Sequence, residues 1–367
     1  MKKRAIALMT AVVLSLGLSA CGSGTAQEST TAAPASQSET GTTSESASAS
    51  ASASASESAS ASAAAPASAP EDGLGEVKAN KAYKLGLTIG WRDEFLSKLE
   101  DAVSSQAKAY GCELTAVDAN NNANTQISQI QTFAGQKVDA IVCVMVNTEI
   151  ADQIIAAANG IPVSFVNIVP VGDLDGTNCT KVGSKELEAG QFQGEFLSNY
   201  FNKKGVDKVN YVMMQGTLGL GHTTDRTAAA HEYIAKGNYE AVCIYEDTAE
   251  YDRAKAQNKM QTFIGTGQAF DAVICNNDEM ALGCIEAMKS AGLDLSQIPV
   301  VGIDATPAGL TAMKAGELAM TVFQDAAGQG ASGIRAAIKL ANGETVPPRI
   351  YVPFVAVTPE NMGDFLK

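Results

Sequence analysis

From Lys81 onward the chain alternates short apolar runs with amphipathic stretches. Runs such as DAIVCVMV, IPVSFVN and DAVICN are almost wholly apolar, which is typical of strands buried on both faces of a parallel sheet. Stretches such as EFLSKLEDAVSSQAKAYG and DEMALGCIEAMKSAG carry apolar residues at helical spacing. The alternation occurs in two series, one beginning near Lys81 and one near Gly183. The pattern therefore predicts an α/β fold of two similar lobes with parallel sheets.

A different pattern precedes the predicted lobes. The basic residues KKR at positions 2–4 are followed by an apolar run, Ile6 to Leu18, and then by the stretch LSAC that ends at Cys21. A small residue before a cysteine, directly after such a run, resembles the lipobox of bacterial lipoproteins, where signal peptidase cuts before a lipidated cysteine. An ordinary signal peptide with a coincidental cysteine is the alternative. We predict a lipoprotein signal peptide over residues 1–20 and lipidation of Cys21.

Residues 21–80 have the composition of a tether. They are mainly Ser, Ala, Thr and Glu, with almost no large apolar side chain. Such a segment cannot bury enough apolar surface to fold, so the sequence predicts a disordered, lipid-anchored linker. A flexible chain of this length has a reach of about 45 Å.

Composition argues against several functions. The formal net charge is −14 and becomes −17 once the three basic residues of the signal are removed, which disfavours binding to nucleic acid. The six cysteines after Cys21 form no CxxC pair and are interpreted as buried thiols, with a disulfide left open. The chain has only two His and no hydrolase motif. The stretch GTLGLG is not a nucleotide-binding motif, because its glycines do not have the spacing of a phosphate loop. The stretch DLDGTN lacks the closing Glu of a calcium loop. We predict no enzymatic activity, no cofactor and no metal site.

Polar and aromatic side chains follow the predicted strands. In open α/β sheets ligands bind beyond the carboxyl ends of the strands, so these positions are the candidate site. They comprise Trp91, Arg92, Asp93, Phe95, Asn167, His222, Asp225, Arg226, Tyr251, Asn276, Asn277, Asp278, Asp304, Gln324 and Asp325.

This mixture of side chains suits a sugar. Each sugar hydroxyl both donates and accepts, so carboxylates are needed beside Arg and amide donors, while aromatic rings cover the C–H faces of a pyranose. Some positions have a structural alternative. Asp225 and Asp278 precede predicted helices and fit as N-caps, and Phe95 fits as a core residue. We assign no role to His231.

From Lys81 to Lys367 the chain resembles the ribose- and galactose/glucose-type periplasmic binding proteins, the substrate-binding subunits of bacterial sugar ABC transporters. The resemblance is carried by DAVICNNDEMALGCIEAMKSAG, IPVVGIDATPAGLTAMKAGELAMTVFQD and AEYDRAKAQNKMQTFI. It implies two Rossmann-like lobes that close on a ligand, joined by a three-crossing hinge near Gly183–Lys185, Gln324–Ala326 and Val352–Phe354. The N-terminal lobe is then residues 81–183 and 326–353, and the C-terminal lobe residues 184–325 and 354–367.

The resemblance also narrows the choice of ligand. Asp93 and Asn167 match the galactose type, Gln324 matches the ribose type, and Ile168 stands where ribose-type members have Arg. His222 resembles the galactose-type His, but with a shorter spacing to Arg226. The predicted ligand is therefore an aldohexose pyranose, glucose or galactose, ahead of a pentose or an inositol. The predicted ligand-binding residues are Trp91, Asp93, Phe95, Asn167, His222, Arg226, Tyr251, Asn277, Asp304 and Gln324.

The implied partners follow from the same resemblance. They are a monosaccharide and the membrane subunits of an ABC transporter, with a chemoreceptor or sensor kinase as the alternative for sensing. We predict an exported monomer on the outer face of the cell membrane, attached only through its lipid. Repressor cores share this fold, but such a chain needs an N-terminal helix-turn-helix, and this one has the lipobox and linker instead.

Overall fold

The computed structural model describes residues 72–366. The predicted signal peptide over residues 1–20, the predicted lipidation site Cys21 and most of the linker over residues 21–80 lie outside the described residues. Within residues 72–366, none of the helices combines the length and the apolar character needed to cross a membrane.

Strands and helices alternate along the described chain, which confirms the predicted α/β class. The strands are β1 (Lys84–Ile89), β2 (Glu113–Asp118), β3 (Ala140–Cys143), β4 (Val163–Val166), β5 (Cys179–Gly183), β6 (Lys208–Gln215), β7 (Glu240–Thr248), β8 (Ala272–Cys275), β9 (Val300–Val301), β10 (Thr321–Phe323), β11 (Arg349–Tyr351) and β12 (Val355–Val357). The helices are α1 (Glu94–Ala109), α2 (Ala123–Gln136), α3 (Ala151–Ala158), α4 (Glu186–Lys204), α5 (Gly221–Ile234), α6 (Arg253–Ile264), α7 (Asp278–Ser290), α8 (Pro307–Lys314) and α9 (Ala326–Ala341).

The first sheet is parallel, with the strand order β11-β5-β4-β3-β1-β2. Every residue of β3 and β4 is buried, as their continuous apolar runs predict for strands covered on both faces. Helix α9 packs on α1 and on the central strands, and α2 packs on α3. We call the first sheet with α1–α3 and α9 the N-terminal lobe.

The second sheet has the order β7-β6-β8-β9, again parallel, and two isolated bridges extend it to β10, which pairs antiparallel with β12. Alternate residues of β6 enter two separate cores. Val212 and Met214 pack with residues of α6 and α7, whereas Tyr211 and Met213 pack with residues of α4 and α5. Helices therefore cover both faces of this sheet, and we call it with α4–α8 the C-terminal lobe.

The chain passes between the two sheets three times. It leaves the first sheet after Gly183, returns from β10 after Phe323, and leaves again after Tyr351 to form β12. Three connections close to one another are the arrangement that the resemblance implies for a hinge between lobes.

Residues 72–80 belong to the folded N-terminal lobe, so the prediction that the linker extends to residue 80 is wrong for this part. Leu74 and Val77 are buried in the core of that lobe. The carboxylate of Asp72 accepts a hydrogen bond from Nε of Arg335 at 2.7 Å, and both side chains are buried. Two isolated apolar residues produce no periodic pattern, and the ion-pair partner lies 263 positions away. The sequence alone therefore gave no signal for this contact.

The N-cap of α7 is Asn277, so the interpretation of Asp278 as a cap is wrong. Asn277 Oδ1 accepts the backbone N–H of Met280 at 3.0 Å. Asp278 is fully buried, and its carboxylate accepts hydrogen bonds from Thr321 Oγ1 at 2.7 Å and from the backbone N–H of Thr306 at 2.9 Å. It ties α7 to the starts of α8 and β10.

We expect Asp278 to make the stability of the protein depend on pH. Burial raises its pKa to about 7, so between about pH 4 and pH 7 the unfolded chain is ionised while the folded protein keeps the proton. Stability due to this group is therefore full below pH 4 and is lost as the pH rises through 7. Asp278→Asn keeps one acceptor and removes the charge. Urea unfolding should find that the variant gains on the order of a few kcal/mol relative to wild type between pH 4 and pH 8.

The exposed Asp101→Asn on α1 serves as the control and should leave the pH profile unchanged. Parallel profiles for wild type and Asp278→Asn would contradict the assignment.

Candidate functional site

A cavity of about 350 Å³, its opening included, lies between the two lobes. All ten residues that the sequence predicts as ligand-binding line it, together with two apolar neighbours. The lining consists of Trp91, Asp93, Phe95, Leu96, Asn167, Ile168, His222, Arg226, Tyr251, Asn277, Asp304 and Gln324.

The fold explains why these side chains meet. Most of them directly follow a strand, and the carboxyl ends of parallel strands in both sheets face the same cleft. Asn167 follows β4, Tyr251 follows β7, Asn277 follows β8, Asp304 follows β9 and Gln324 follows β10. Two residues differ from the prediction, because α5 begins at Gly221 and therefore places His222 and Asp225 on a helix rather than in a loop. Asp225 is not a cap, since the N-cap position is Leu220.

Arg226 is the centre of the polar network. Its Nε donates to Glu186 Oε2 at 2.6 Å, its Nη1 to the carbonyl of Asn276 at 2.8 Å, and its Nη2 to Gln324 Oε1 at 3.0 Å. Burial lowers the pKa of Arg226, but the carboxylate of Glu186 outweighs this and raises it above its ordinary value. A guanidinium has five N–H donors, so two remain for a ligand. Glu186 begins α4, directly after the first connection between the lobes, and Gln324 lies in the second, so Arg226 links the site to both connections.

Asp304 and Gln324 present groups without partners. Asp304 is 7% exposed, and no hydrogen bond reaches its carboxylate from any group in residues 72–366. Burial raises the pKa of Asp304 well above its ordinary value, although Arg226 opposes the shift. The side-chain nitrogen of Gln324 is likewise buried without a partner in the described part of the chain. Because buried polar groups are nearly always paired, these two point to a ligand that would complete them.

The first loop provides a carboxylate and two aromatic rings. Asp93 is the N-cap of α1, with Oδ1 accepting the backbone N–H of Leu96 at 2.7 Å and Oδ2 accepting Trp91 Nε1 at 3.2 Å. Burial raises the pKa of Asp93. Phe95 is buried against the core of the N-terminal lobe and also lines the cavity, so it is a core residue whose role in binding stays a prediction.

Asn167 and His222 meet across the lobes. His222 Nε2 lies 3.1 Å from the carbonyl oxygen of Asn167 and 3.5 Å from Glu186 Oε1. Burial lowers the pKa of His222, which favours the neutral ring. The amide of Asn167 donates to Gln329 Oε1 at 3.0 Å. The sequence analysis missed Glu186 and Gln329, and the signal available for each was a polar side chain on a helix that directly follows a connection between the lobes.

The GTLGLG stretch has a structural role. A Cβ added to Gly216 would lie 2.1 Å from Cζ of Tyr251, whose ring covers this glycine. Tyr251 adopts the left-handed backbone conformation, with φ 62°, and its hydroxyl lies 3.0 Å from Thr223 Oγ1. The glycine therefore allows the aromatic ring to approach the backbone.

We expect Gly216→Ala to displace the Tyr251 ring and to weaken ligand binding about tenfold, or about 1.4 kcal/mol. Isothermal titration calorimetry with the best ligand measures the change. Gly221→Ala, at the first residue of α5 and in the same GTLGLG stretch, is the matched control, because a Cβ there meets no atom within 4 Å. Equal affinities for the two variants would show that Tyr251 does not contribute.

A larger cavity adjoins the site beyond Asn167 and His222. It includes Lys181, whose ammonium already donates to the backbone carbonyls of Pro170 and Gly172. Tyr351 is its only aromatic lining residue within the described chain. Because polar groups and aromatic rings converge on the smaller cavity, we take the smaller cavity as the candidate site.

Comparisons with known proteins agree with this architecture. A profile described as the periplasmic binding protein domain matches residues 87–345. A putative rhizopine-binding protein of Rhizobium meliloti is 38% identical over 74% of this chain and 89% of its own length. The D-galactose/methyl-galactoside binding periplasmic protein of Haemophilus influenzae is 30% identical over 80% of this chain and 96% of its own.

A solved structure extends the agreement to three dimensions. The ABC transporter solute binding protein of Bacillus halodurans with bound myo-inositol is 35% identical and superposes with a TM-score of 0.72, covering 80% of this chain and 99% of its own. The profile match and the identities over most of the chain are sufficient to assign the family. The chain belongs to the periplasmic binding proteins.

Proposed function

We propose that this protein is the extracytoplasmic solute-binding component of an ABC transporter and that it captures a neutral, polyhydroxylated six-membered ring. The observation that carries the proposal is the cavity between the lobes, where the side-chain nitrogen of Gln324 is buried without a partner and the Asp304 carboxylate accepts no hydrogen bond from residues 72–366. Capture and delivery of a ligand involve no turnover, so a bound sugar should be recovered unchanged.

The chemistry of the lining supports a polyol. The Asp304 carboxylate can accept two hydroxyl protons, and the free N–H groups of Arg226 and Gln324 can donate to hydroxyl oxygens. Trp91 and Tyr251 offer aromatic surface for the C–H faces of a ring. A ligand that lacks one of these hydroxyls would leave a buried group unpaired, at a cost of about 1–3 kcal/mol.

The distribution of the lining residues supports capture by closure. Asp93 and Asn167 belong to the N-terminal lobe, Arg226 and Asp304 to the C-terminal lobe, and Gln324 lies in a connection between the lobes. A ligand gains all of these contacts only when the lobes are shut, so its binding shifts the population toward the closed form. The closed form would then dock on the membrane subunits of the transporter.

Two classes of six-membered ring are candidates for the ligand. Asp93, Asn167 and the apolar Ile168 favour an aldohexose pyranose, glucose or galactose. The 35% identity to a protein with bound myo-inositol favours a cyclitol as the second candidate. Both are six-membered polyols whose hydroxyls can form hydrogen bonds with the same side chains.

Calorimetric titration against glucose, galactose, myo-inositol, ribose and xylitol tests the proposal. We expect glucose, galactose or myo-inositol to bind at least tenfold more tightly than ribose or the open-chain xylitol, a difference of about 1.4 kcal/mol or more. Submillimolar binding of ribose with silence toward all three six-membered rings would overturn the assignment of the ligand class.

We also propose that Cys21 anchors the protein to the outer face of the cell membrane. The support is the lipobox-like stretch ahead of it, and two acyl chains would hold a protein stably where one would not. Cys21→Ser should move the protein from the membrane fraction to the soluble fraction of its host, and an unchanged distribution would contradict the anchor.

A further inference from the structure

Three side chains that can ligate a metal converge on the C-terminal lobe, outside the lining of the cleft. They are His231 on α5 and Cys243 and Glu246 on β7. One donor atom from each lies within 4.8 Å of the other two. His231 Nε2 is 2.9 Å from Glu246 Oε2, and Cys243 Sγ is 3.7 Å from the same oxygen.

A β-bulge creates this convergence. Tyr211 of β6 pairs with Cys243, but the next residue, Val212, pairs with Tyr245, so Ile244 is an extra residue in β7. In a regular strand two residues three positions apart face opposite sides of the sheet. The extra residue turns Cys243 and Glu246 to the same side, and bulges commonly re-aim side chains in this way near functional sites.

Neighbouring side chains hold two of the three donors in place. The hydroxyl of Tyr211 lies 2.6 Å from Nδ1 of His231, and Gln215 Nε2 donates to Glu246 Oε1 at 2.6 Å. These contacts occupy the far nitrogen of the imidazole and one carboxylate oxygen, and they leave Nε2 and Oε2 directed at each other. Outer partners of this kind orient the ligands of metal sites.

We propose that His231, Cys243 and Glu246 form a binding site for Zn²⁺. Imidazole, thiolate and carboxylate are the donors that zinc takes, at about 2.0–2.3 Å, whereas Ca²⁺ and Mg²⁺ require oxygen ligands. The ion replaces the hydrogen bond between His231 and Glu246, the imidazole donates its Nδ1–H to the oxygen of Tyr211, and the thiol proton passes to solvent. The fourth tetrahedral position stays open to water. The sequence offers no metal motif because the donors come from two elements and the bulge is invisible in the pattern.

The ion would link α5 to β7, and both elements lie close in the chain to predicted ligand-binding residues. Helix α5 holds Arg226, little more than one turn before His231, and β7 leads directly to Tyr251. A zinc ion that bridges α5 and β7 would stabilise the folded lobe by mass action. His231 and Glu246 are partly exposed, which gives the ion access.

Calorimetric titration of the full-length, tag-free protein with ZnCl₂, after EDTA treatment and dialysis, tests the site. We expect one Zn²⁺ per chain with a micromolar or lower Kd, and at least a tenfold rise in Kd for both His231→Ala and Cys243→Ser. Cys112→Ser is the matched control, since it removes another half-buried thiol, and it should bind zinc like wild type. Zinc should raise the Tm of wild type and of Cys112→Ser but not that of Cys243→Ser.

Cobalt provides a second readout that reports ligation by the thiolate directly. Co²⁺ bound to wild type should give a thiolate-to-cobalt charge-transfer band in the near ultraviolet, and Cys243→Ser should abolish it. The proposal is overturned if wild type binds no zinc at submillimolar concentration, or if Cys243→Ser leaves the zinc affinity and the cobalt band unchanged.

Discussion

Replacing Arg226 by Met should abolish ligand binding and strongly destabilise the protein. The substitution removes three hydrogen bonds and the two N–H groups still free for a ligand. Hydrogen bonds to a charged group contribute about 1.5–3 kcal/mol each, so the loss of two ligand contacts should raise Kd by more than about a hundredfold. Glu186 would keep a charge without its partner, and removing one member of a buried ion pair costs about 3–5 kcal/mol. Calorimetry and urea unfolding measure the two effects.

A double variant separates the loss of ligand binding from the loss of stability. Arg226→Met combined with Glu186→Leu removes both charges, and replacing a buried ion pair by apolar residues is often neutral for stability. We therefore expect the double variant to recover most of the free energy of unfolding while ligand binding stays absent. Recovery of binding in the double variant would mean that Arg226 does not contact the ligand.

Asp304→Asn should have opposite effects on binding and on stability. The Asp304 carboxylate is buried without a hydrogen-bond partner inside residues 72–366, so removing its charge should stabilise the ligand-free protein by about 1–3 kcal/mol at pH 8. Asn has nearly the same shape as Asp, so we expect the substitution to keep the backbone conformation at this position, where φ is 118°. The ligand loses its charged acceptor, and Kd should rise about a hundredfold.

Thermal unfolding at pH 8 and calorimetric titration of the same preparation test this pair of changes. Asp294→Asn is a control, because that carboxylate lies on the surface and bonds only to Ser296 within the described residues. A lower Tm for Asp304→Asn, or an affinity equal to that of wild type, would contradict the role we give Asp304.

The candidate site could be predicted from the sequence because its residues lie where the strands end. Buried parallel strands appear as apolar runs, and the polar residue after each run necessarily lies at the carboxyl edge of its sheet. Asn167, Asn277 and Asp304 could thus be placed in one cleft without knowledge of any contact. Their roles in binding stay predictions.

The parts that the sequence did not reveal depend on contacts between distant residues. The position of Glu186 in the sequence gives no signal of a role in the site. Its role depends on the hydrogen bond that it accepts from Arg226. The ion pair of Asp72 with Arg335, which holds residues 72–80 on the N-terminal lobe, joins positions without any local pattern. The sequence predicts that Asp225 precedes its helix, whereas α5 begins at Gly221, because Gly221 and the threonines after it favour helix weakly.

A crystal structure of the protein with its best-binding sugar would show which cavity the ring occupies. We predict a ring between the two lobes, with its hydroxyls within hydrogen-bonding distance of the Asp304 carboxylate and the side-chain nitrogen of Gln324. Density for the ring in the neighbouring cavity beside Lys181, with Asp304 still unpartnered, would contradict the account.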